Sequence, residues 1–146
     1  MPSVHASAVL VGARAVLIRG PSGAGKSRLA LSLLDAAGKD PVPFALLVAD
    51  DRSHLEPHHG RLLVRPASEI AGLIEVHGLG IRRLPYEPVA VVGLVVDLAA
   101  PDGERLPAAA SACVTIDGIA LARLAVAPGI DPLPLVLAAL STASGL

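Results

Sequence analysis

The stretch Gly20-Pro21-Ser22-Gly23-Ala24-Gly25-Lys26-Ser27 matches the pattern G-x-x-x-x-G-K-[ST], the phosphate-binding P-loop. Its glycines let the backbone turn so that successive N–H groups point inward at phosphate oxygens. We expect the Lys26 ammonium to reach the β- and γ-phosphates and the Ser27 hydroxyl to ligate Mg²⁺. The alternative is a glycine-rich turn without a ligand. Chance alone brings the four fixed positions together well under about one time in a hundred, so residues 20–27 are predicted to bind a nucleotide.

The flanking sequence has the order that this motif requires. Residues 15–18 form a short apolar run typical of a buried strand. Residues 28–34 carry leucines at 29, 33 and 34, which is the spacing of one helix face. The sequence therefore predicts a strand, the loop and a helix in succession.

Further apolar runs extend this plan into a strand-rich domain. Residues 7–11 and 15–18 predict a hairpin, and the helix after the loop is expected to end near Gly38. The other predicted strands are residues 44–49, 61–65, 89–98, 114–116 and 119–126, with a last helix over residues 131–141. Residues 52–60 are polar and predict a surface loop. We therefore expect a mixed α/β fold with one domain over residues 1–146.

Composition excludes several function classes. The chain has 146 residues, is 53% hydrophobic, and contains one Tyr, one Phe and no Trp. Few aromatic rings and a formal net charge of −1 argue against a nucleic-acid partner. No apolar run is long enough to span a bilayer and no signal peptide is recognisable, so we expect no membrane partner and a cytoplasmic protein. The lone Cys113 is expected to be a small buried residue rather than a catalytic thiol.

Carboxylates follow several predicted strands and are candidate partners of the P-loop. They are the pair Asp50 and Asp51, then Glu75, and Asp97. By pattern alone Asp97 is the best Walker-B candidate, since it follows the longest apolar run, although it can equally be a strand-end turn residue. One member of the Asp50–Asp51 pair can accept a hydroxyl proton while its neighbour holds a metal or an arginine.

Three ordered blocks resemble the catalytic domain of bacterial HPr kinase/phosphorylase. They are residues 20–27, the run Leu47-Val48-Ala49-Asp50-Asp51-Arg52, and the run Glu75-Val76-His77-Gly78-Leu79-Gly80-Ile81, with His5 upstream. The closest likeness is to the short alphaproteobacterial forms that lack the N-terminal domain. The resemblance covers roughly the first hundred residues.

This resemblance implies a fold, a reaction and a set of roles. The fold would be similar to the phosphoenolpyruvate carboxykinase core, in a homo-oligomer, by resemblance a hexamer. The reaction would be ATP-dependent phosphorylation of a serine of HPr, the phosphocarrier protein of phosphotransferase signalling, with phosphorolysis as the reverse direction. Asp50 would be the general base, supported by Asp51 and tuned by His5. Ser27 and Glu75 would ligate Mg²⁺. Asp97 would then be structural.

Two departures from the family pattern keep other functions open. His77 stands where the family usually has arginine, and residues 127–131 contain no arginine, with Arg123 nearby but off register. Both weaken the prediction of phosphorolysis more than that of nucleotide binding. The alternatives are a P-loop kinase of a small metabolite, a plain NTPase, or a non-enzymatic nucleotide-binding regulator. His54, His58 and His59 are interpreted as solvated or partner-facing, with a structural metal site as the alternative.

Overall fold

The computed structural model describes residues 2–142, and within that range strands predominate. The elements are β1 (Val4–Val11), β2 (Arg14–Arg19), α1 (Lys26–Asp35), β3 (Ala45–Ala49), β4 (Arg52–His58), β5 (Arg61–Pro66), β6 (Leu73–Val76), β7 (Gly80–Arg83), β8 (Ala90–Asp97), β9 (Cys113–Ile116), β10 (Ile119–Ala125) and α2 (Pro132–Ser141). Strands β6 and β7 form a separate hairpin, and the remaining strands of this range join one mixed sheet. The predicted mixed, strand-rich α/β fold is confirmed.

Strand directions bring three strand ends to one edge of the sheet. Strand β1 is antiparallel to both β2 and β3, so β2 and β3 run in the same direction. Strand β8 is parallel to β2 on its other side. The carboxyl ends of β8, β2 and β3 therefore lie at one edge, where Asp97 ends β8, Gly20 follows β2 and Asp50 follows β3. The start of β1 lies at the same edge, because β1 runs in the opposite direction.

Alternating strand residues form an apolar core on each face of the sheet. On one face, strand residues such as Val16, Ile18 and Val96 pack with buried residues of α1 and α2. On the other face, Leu17 and Val95 pack with the buried Leu62 and Val64 of β5, and the partly buried Leu55 of β4 packs against them. Burial on both faces is why β2 and β8 read as continuous apolar runs.

Helix α1 starts directly from the glycine-rich loop. Gly25 precedes it with a φ of 100°, a left-handed conformation that glycine adopts at little cost. Leu29, Ala30 and Leu33 form its buried face, and the helix ends at Asp35, three residues before the predicted Gly38. The strand, loop and helix thus follow one another as predicted.

Two local predictions are wrong. Residues 52–58 form strand β4 between β1 and β5 rather than a loop. Their polar pattern arises because most of their side chains are only partly buried or exposed. Cys113 is exposed rather than buried, since Val114 and Ile116 of edge strand β9 contact the core and Cys113 points outward. The other predicted strands and the last helix are confirmed within a few residues. Across residues 2–142, neither helix is long and apolar enough to cross a membrane.

Candidate active site

A cavity of about 650 Å³ opens beside the glycine-rich loop. It brings together side chains from three separate parts of the sequence: the loop and the start of α1, the end of β3, and β6. Its polar lining includes Ser22, Lys26, Ser27, Asp51, Glu75 and His77. The predicted nucleotide, metal and catalytic residues therefore meet largely in one place.

Lys26 is held inside the curve of its own loop. Its Nζ donates to the carbonyl oxygens of Gly20 at 2.8 Å and Pro21 at 3.2 Å, and the residue is only 7% exposed. Gly20 itself lies against Leu98, where a side-chain Cβ would approach the Leu98 Cβ to 3.1 Å. The loop therefore packs against Leu98, which follows β8. Lys26 lines the cavity, where its positive charge suits a phosphate group.

The Asp50 carboxylate lies behind the loop and accepts three hydrogen bonds. Its Oδ1 accepts from the hydroxyls of Ser27 at 2.7 Å and Ser7 at 2.8 Å, and its Oδ2 accepts from the Glu75 N–H at 3.0 Å. The residue is 6% exposed and does not line the cavity. Asp50 thus fixes Ser27 and β6 relative to β3.

Asp51 has the opposite environment to its neighbour. Its side chain is 61% exposed, lines the cavity, and lies 4.0 Å from the Nδ1 of His5. Its backbone is left-handed, with a φ of 65°, an uncommon conformation for a residue other than glycine. This reversal turns Asp51 toward the cavity while Asp50 stays buried, so the adjacent pair is divided between two positions.

The oxygen atoms at this site fit a magnesium ion. The Ser27 hydroxyl and the exposed Glu75 carboxylate both line the cavity, and Mg²⁺ prefers oxygen ligands with several positions left for water and phosphate. No cluster of three or more His, Cys, Asp or Glu residues suited to a metal occurs within residues 2–142. Two oxygen-bearing side chains beside the glycine-rich loop would suit Mg²⁺, which is usually held by one or two protein ligands together with substrate phosphates.

Asp97 is engaged by arginines. Its carboxylate accepts from the Arg19 guanidinium at 2.7 and 2.8 Å and from Arg123 Nε at 2.6 Å. Burial raises the pKa of Asp97, but the hydrogen bonds and charges of the two arginines outweigh burial and lower it. Arg123 also donates to Asp102, and its hydrogen bonds to Asp102 and Asp97 raise the pKa of Arg123. The cluster ties β2, β8 and β10 together and leaves Arg123 bound to carboxylates.

Comparison with known structures supports the fold. The structure of the HPr(Ser) kinase/phosphatase from Coxiella burnetii superimposes with a TM-score of 0.74 at 26% sequence identity, covering 96% of this chain and 93% of that chain. This chain resembles the HPr(Ser) kinase/phosphatase. The resemblance inferred from the three sequence blocks is confirmed and extends over nearly the whole chain. No protein-family model and no curated protein sequence matches the chain.

Seven of the twelve predicted site residues line the cavity: Ser22, Gly23, Gly25, Lys26, Ser27, Asp51 and Glu75. Gly20, Pro21 and Asp50 lie outside its lining. Ala24 packs against the core and His5 lies beside Asp51 on the surface. His54 and His58 lie on β4, away from the cavity lining. One participant was missed: Ser7, whose only signal is that it is a polar residue inside an apolar strand.

Proposed function

We propose that this chain is an ATP-dependent protein kinase that phosphorylates a serine of an HPr-like phosphocarrier protein. One observation carries the proposal: the loop lysine, Ser27, Glu75 and Asp51 line a single cavity in a fold shared with an HPr(Ser) kinase/phosphatase. The similarity to that enzyme supports a related kinase role at the general level. The identity of the acceptor and the assignment of each residue are part of the proposal.

The loop and its neighbours would bind ATP and Mg²⁺. The amides of residues 20–27 and Lys26 would hold the β- and γ-phosphates, while Ser27 and Glu75 would ligate the metal. Mg²⁺ held by Ser27 and Glu75 would neutralise negative charge that develops during transfer. Lys26 must exchange its carbonyl partners for phosphate oxygens, which are the better acceptors because they are charged.

We assign the general base to Asp51 rather than to Asp50, the residue that the family resemblance implies. A base must lie within hydrogen-bond reach of the proton that it removes. Asp51 is exposed to the cavity and has His5 beside it, whereas Asp50 is buried and accepts three hydrogen bonds. Asp50 instead orients Ser27. His5 would orient the Asp51 carboxylate.

In the forward reaction Asp51 takes the proton of the acceptor serine hydroxyl. The serine oxygen forms a bond to the γ-phosphorus as the bond from that phosphorus to the ADP oxygen breaks. In the phosphorolytic direction an oxygen of inorganic phosphate bonds to the phosphorus of phosphoserine as the bond from that phosphorus to the serine oxygen breaks. Asp51 returns a proton to the serine oxygen, and pyrophosphate leaves. The homohexamer implied by the family resemblance remains a prediction that light scattering on the purified chain can test.

The direct test is phosphotransfer with purified components. We expect the chain, ATP, Mg²⁺ and HPr to yield HPr phosphorylated on serine, detected by mass spectrometry of its peptides. No phosphoserine, alongside a working HPr kinase as positive control, would contradict the proposal. ATP hydrolysis independent of HPr would favour an NTPase or a metabolite kinase, and ATP binding without any turnover would favour a regulator. Adding inorganic phosphate to phosphoseryl-HPr tests the reverse direction.

A further inference from the structure

Ser7 is a buried polar residue in a strand that is otherwise apolar at this point. It lies in β1 between Ala6 and Ala8, and all three residues are fully buried. Its hydroxyl donates to Asp50 Oδ1 at 2.8 Å and accepts from the Asp51 N–H at 3.1 Å. One hydroxyl therefore contacts both members of the acidic pair, through the side chain of one and the backbone of the other.

These contacts occur where the backbone reverses direction after β3. The left-handed Asp51 is also held by its carbonyl, which accepts from the Ala6 N–H at 3.0 Å. The Arg52 N–H donates to the Asp50 carbonyl at 2.8 Å and closes the turn. A strained conformation of this kind persists only where the surroundings fix it, and β1 supplies that support from both sides of the Asp51 peptide.

We propose that Ser7 is a positioning residue that couples the orientation of Asp50 to the backbone of Asp51. The inference rests on the proposed function, because it assigns Asp50 to the orientation of Ser27 and Asp51 to proton removal. The Ser7 hydroxyl acts on the reaction only through these two residues. It fixes the metal-ligating serine and the base in one mutual geometry before the acceptor serine arrives.

Removal of this hydroxyl has a specific expected effect. In Ser7→Ala, Asp50 Oδ1 keeps the Ser27 donor alone, and the Asp51 N–H loses its acceptor. A small displacement of a reacting group costs about 10²-fold in rate, so we expect kcat for transfer to fall roughly 10- to 100-fold. Lys26 does not contact Ser7, so the KM for ATP should stay within about threefold, since nucleotide binding keeps its main cation.

Ser53→Ala is a matched control. Ser53 is also fully buried and its hydroxyl donates to the Ala6 carbonyl at 2.9 Å, one residue from Ser7 on the same strand. Its removal costs one buried hydrogen bond and leaves the hydrogen bonds of the Asp50 side chain and of the Asp51 N–H in place. We expect thermal unfolding to show a lower midpoint temperature for both alanine variants, with the larger fall in Ser7→Ala because that change removes two hydrogen bonds rather than one. The Ser7→Thr variant keeps the hydroxyl and should retain transfer well above Ser7→Ala.

Amide exchange of ¹⁵N-labelled protein provides a readout that needs no transfer activity. We expect the Asp51 amide to exchange roughly tenfold faster in Ser7→Ala than in wild type, and at an unchanged rate in Ser53→Ala. A wild-type protein that transfers nothing would contradict the proposed function without bearing on this exchange. Unchanged Asp51 exchange, equal kcat losses in the two alanine variants, or a Ser7→Thr variant as inactive as Ser7→Ala would each overturn the role of Ser7.

Discussion

Asp50 and Asp97 occupy equivalent positions in the sheet but differ in their hydrogen-bond donors. Each follows or ends a buried strand at the edge that carries the glycine-rich loop, and each carboxylate accepts three hydrogen bonds. Among the described residues 2–142, the donors to Asp50 are uncharged: two hydroxyls and one amide. Within the same range, the donors to Asp97 are the guanidinium groups of Arg19 and Arg123.

This difference distinguishes Asp50, a residue of the candidate active site, from Asp97, which holds strands together. The negative charge of Asp97 is compensated by two arginines, so this carboxylate is a poor metal ligand and a poor acceptor of a hydroxyl proton. Within residues 2–142, no cationic group donates a hydrogen bond to the Asp50 carboxylate. One of its donors is the proposed metal ligand Ser27. Negative charge that is held by hydroxyls and amides favours a nearby cation. The position of a carboxylate in the topology therefore does not decide its role; its donors do.

We expect the largest loss of transfer activity at Asp51, larger than at Asp50 or Asp97. Asp51→Asn removes the proposed base while keeping the size and exposure of the side chain, so transfer should fall about 10²- to 10⁴-fold. ATP affinity, measured by calorimetry, should stay within a few-fold because a base acts only in the chemical step. Transfer close to the wild-type rate would show that the base lies elsewhere, with Asp50 as the next candidate.

A smaller effect is expected at Asp50. Asp50→Asn replaces one carboxylate oxygen with an NH₂ group that must face hydroxyl or amide donors, so Ser27 loses its fixed orientation. Loss of a group that orients a metal ligand typically costs 10- to 100-fold, and we expect kcat to fall by about that factor. The Mg²⁺ concentration for half-maximal rate should rise in parallel. A loss of kcat without any change in Mg²⁺ dependence would argue against the link through Ser27.

Asp97→Asn should alter stability rather than chemistry. Loss of charge-assisted hydrogen bonds to two arginines should lower the free energy of unfolding by about 2 kcal/mol at pH 7. The pKa of Asp97 is lowered in the folded state, so its contribution is fully present above the ordinary value of 3.8 and disappears as pH falls below it. Urea titrations should show a constant gap between wild type and variant from pH 6 to 8, narrowing below about pH 4. A gap that widens in acid would contradict the ion-pair assignment.

The smallest effect is expected at the rim of the cavity. His77 lines the same cavity as Lys26, and an arginine there would add a permanent cation with bidentate geometry for phosphate. His77→Arg should lower the KM for ATP by about two- to fivefold with little change in kcat. His58→Arg on β4 adds the same charge away from the cavity and serves as the control. Equal changes in both variants would indicate a general charge effect.

The sequence predicted the elements better than their contacts. Apolar runs and the loop motif sufficed for β2, α1, β3 and β8, because burial on both faces imposes a local pattern. They could not distinguish Asp50 from Asp97, because the donors lie far away in sequence: Ser7 is 43 residues from Asp50, and Arg19 is 78 from Asp97.

The sequence also could not show which member of the acidic pair, Asp50 or Asp51, faces the cavity. The resemblance of motifs identified Asp50 and Asp51 together, but the left-handed backbone of Asp51 decides which one faces the cavity. That conformation depends on contacts from β1, which no local pattern records. Strand β4 was missed for a related reason, since its pairing with β1 and β5 compensates for a polar composition.

The most direct test of the central claim is transfer of phosphate from ATP to HPr by Asp51→Asn and Asp97→Asn side by side. Rates should be taken at a temperature where circular dichroism shows both variants fully folded. We predict a loss of at least about 10²-fold for Asp51→Asn and a rate within about threefold of wild type for Asp97→Asn. The reverse order, with Asp97→Asn inactive and Asp51→Asn active, would contradict the account.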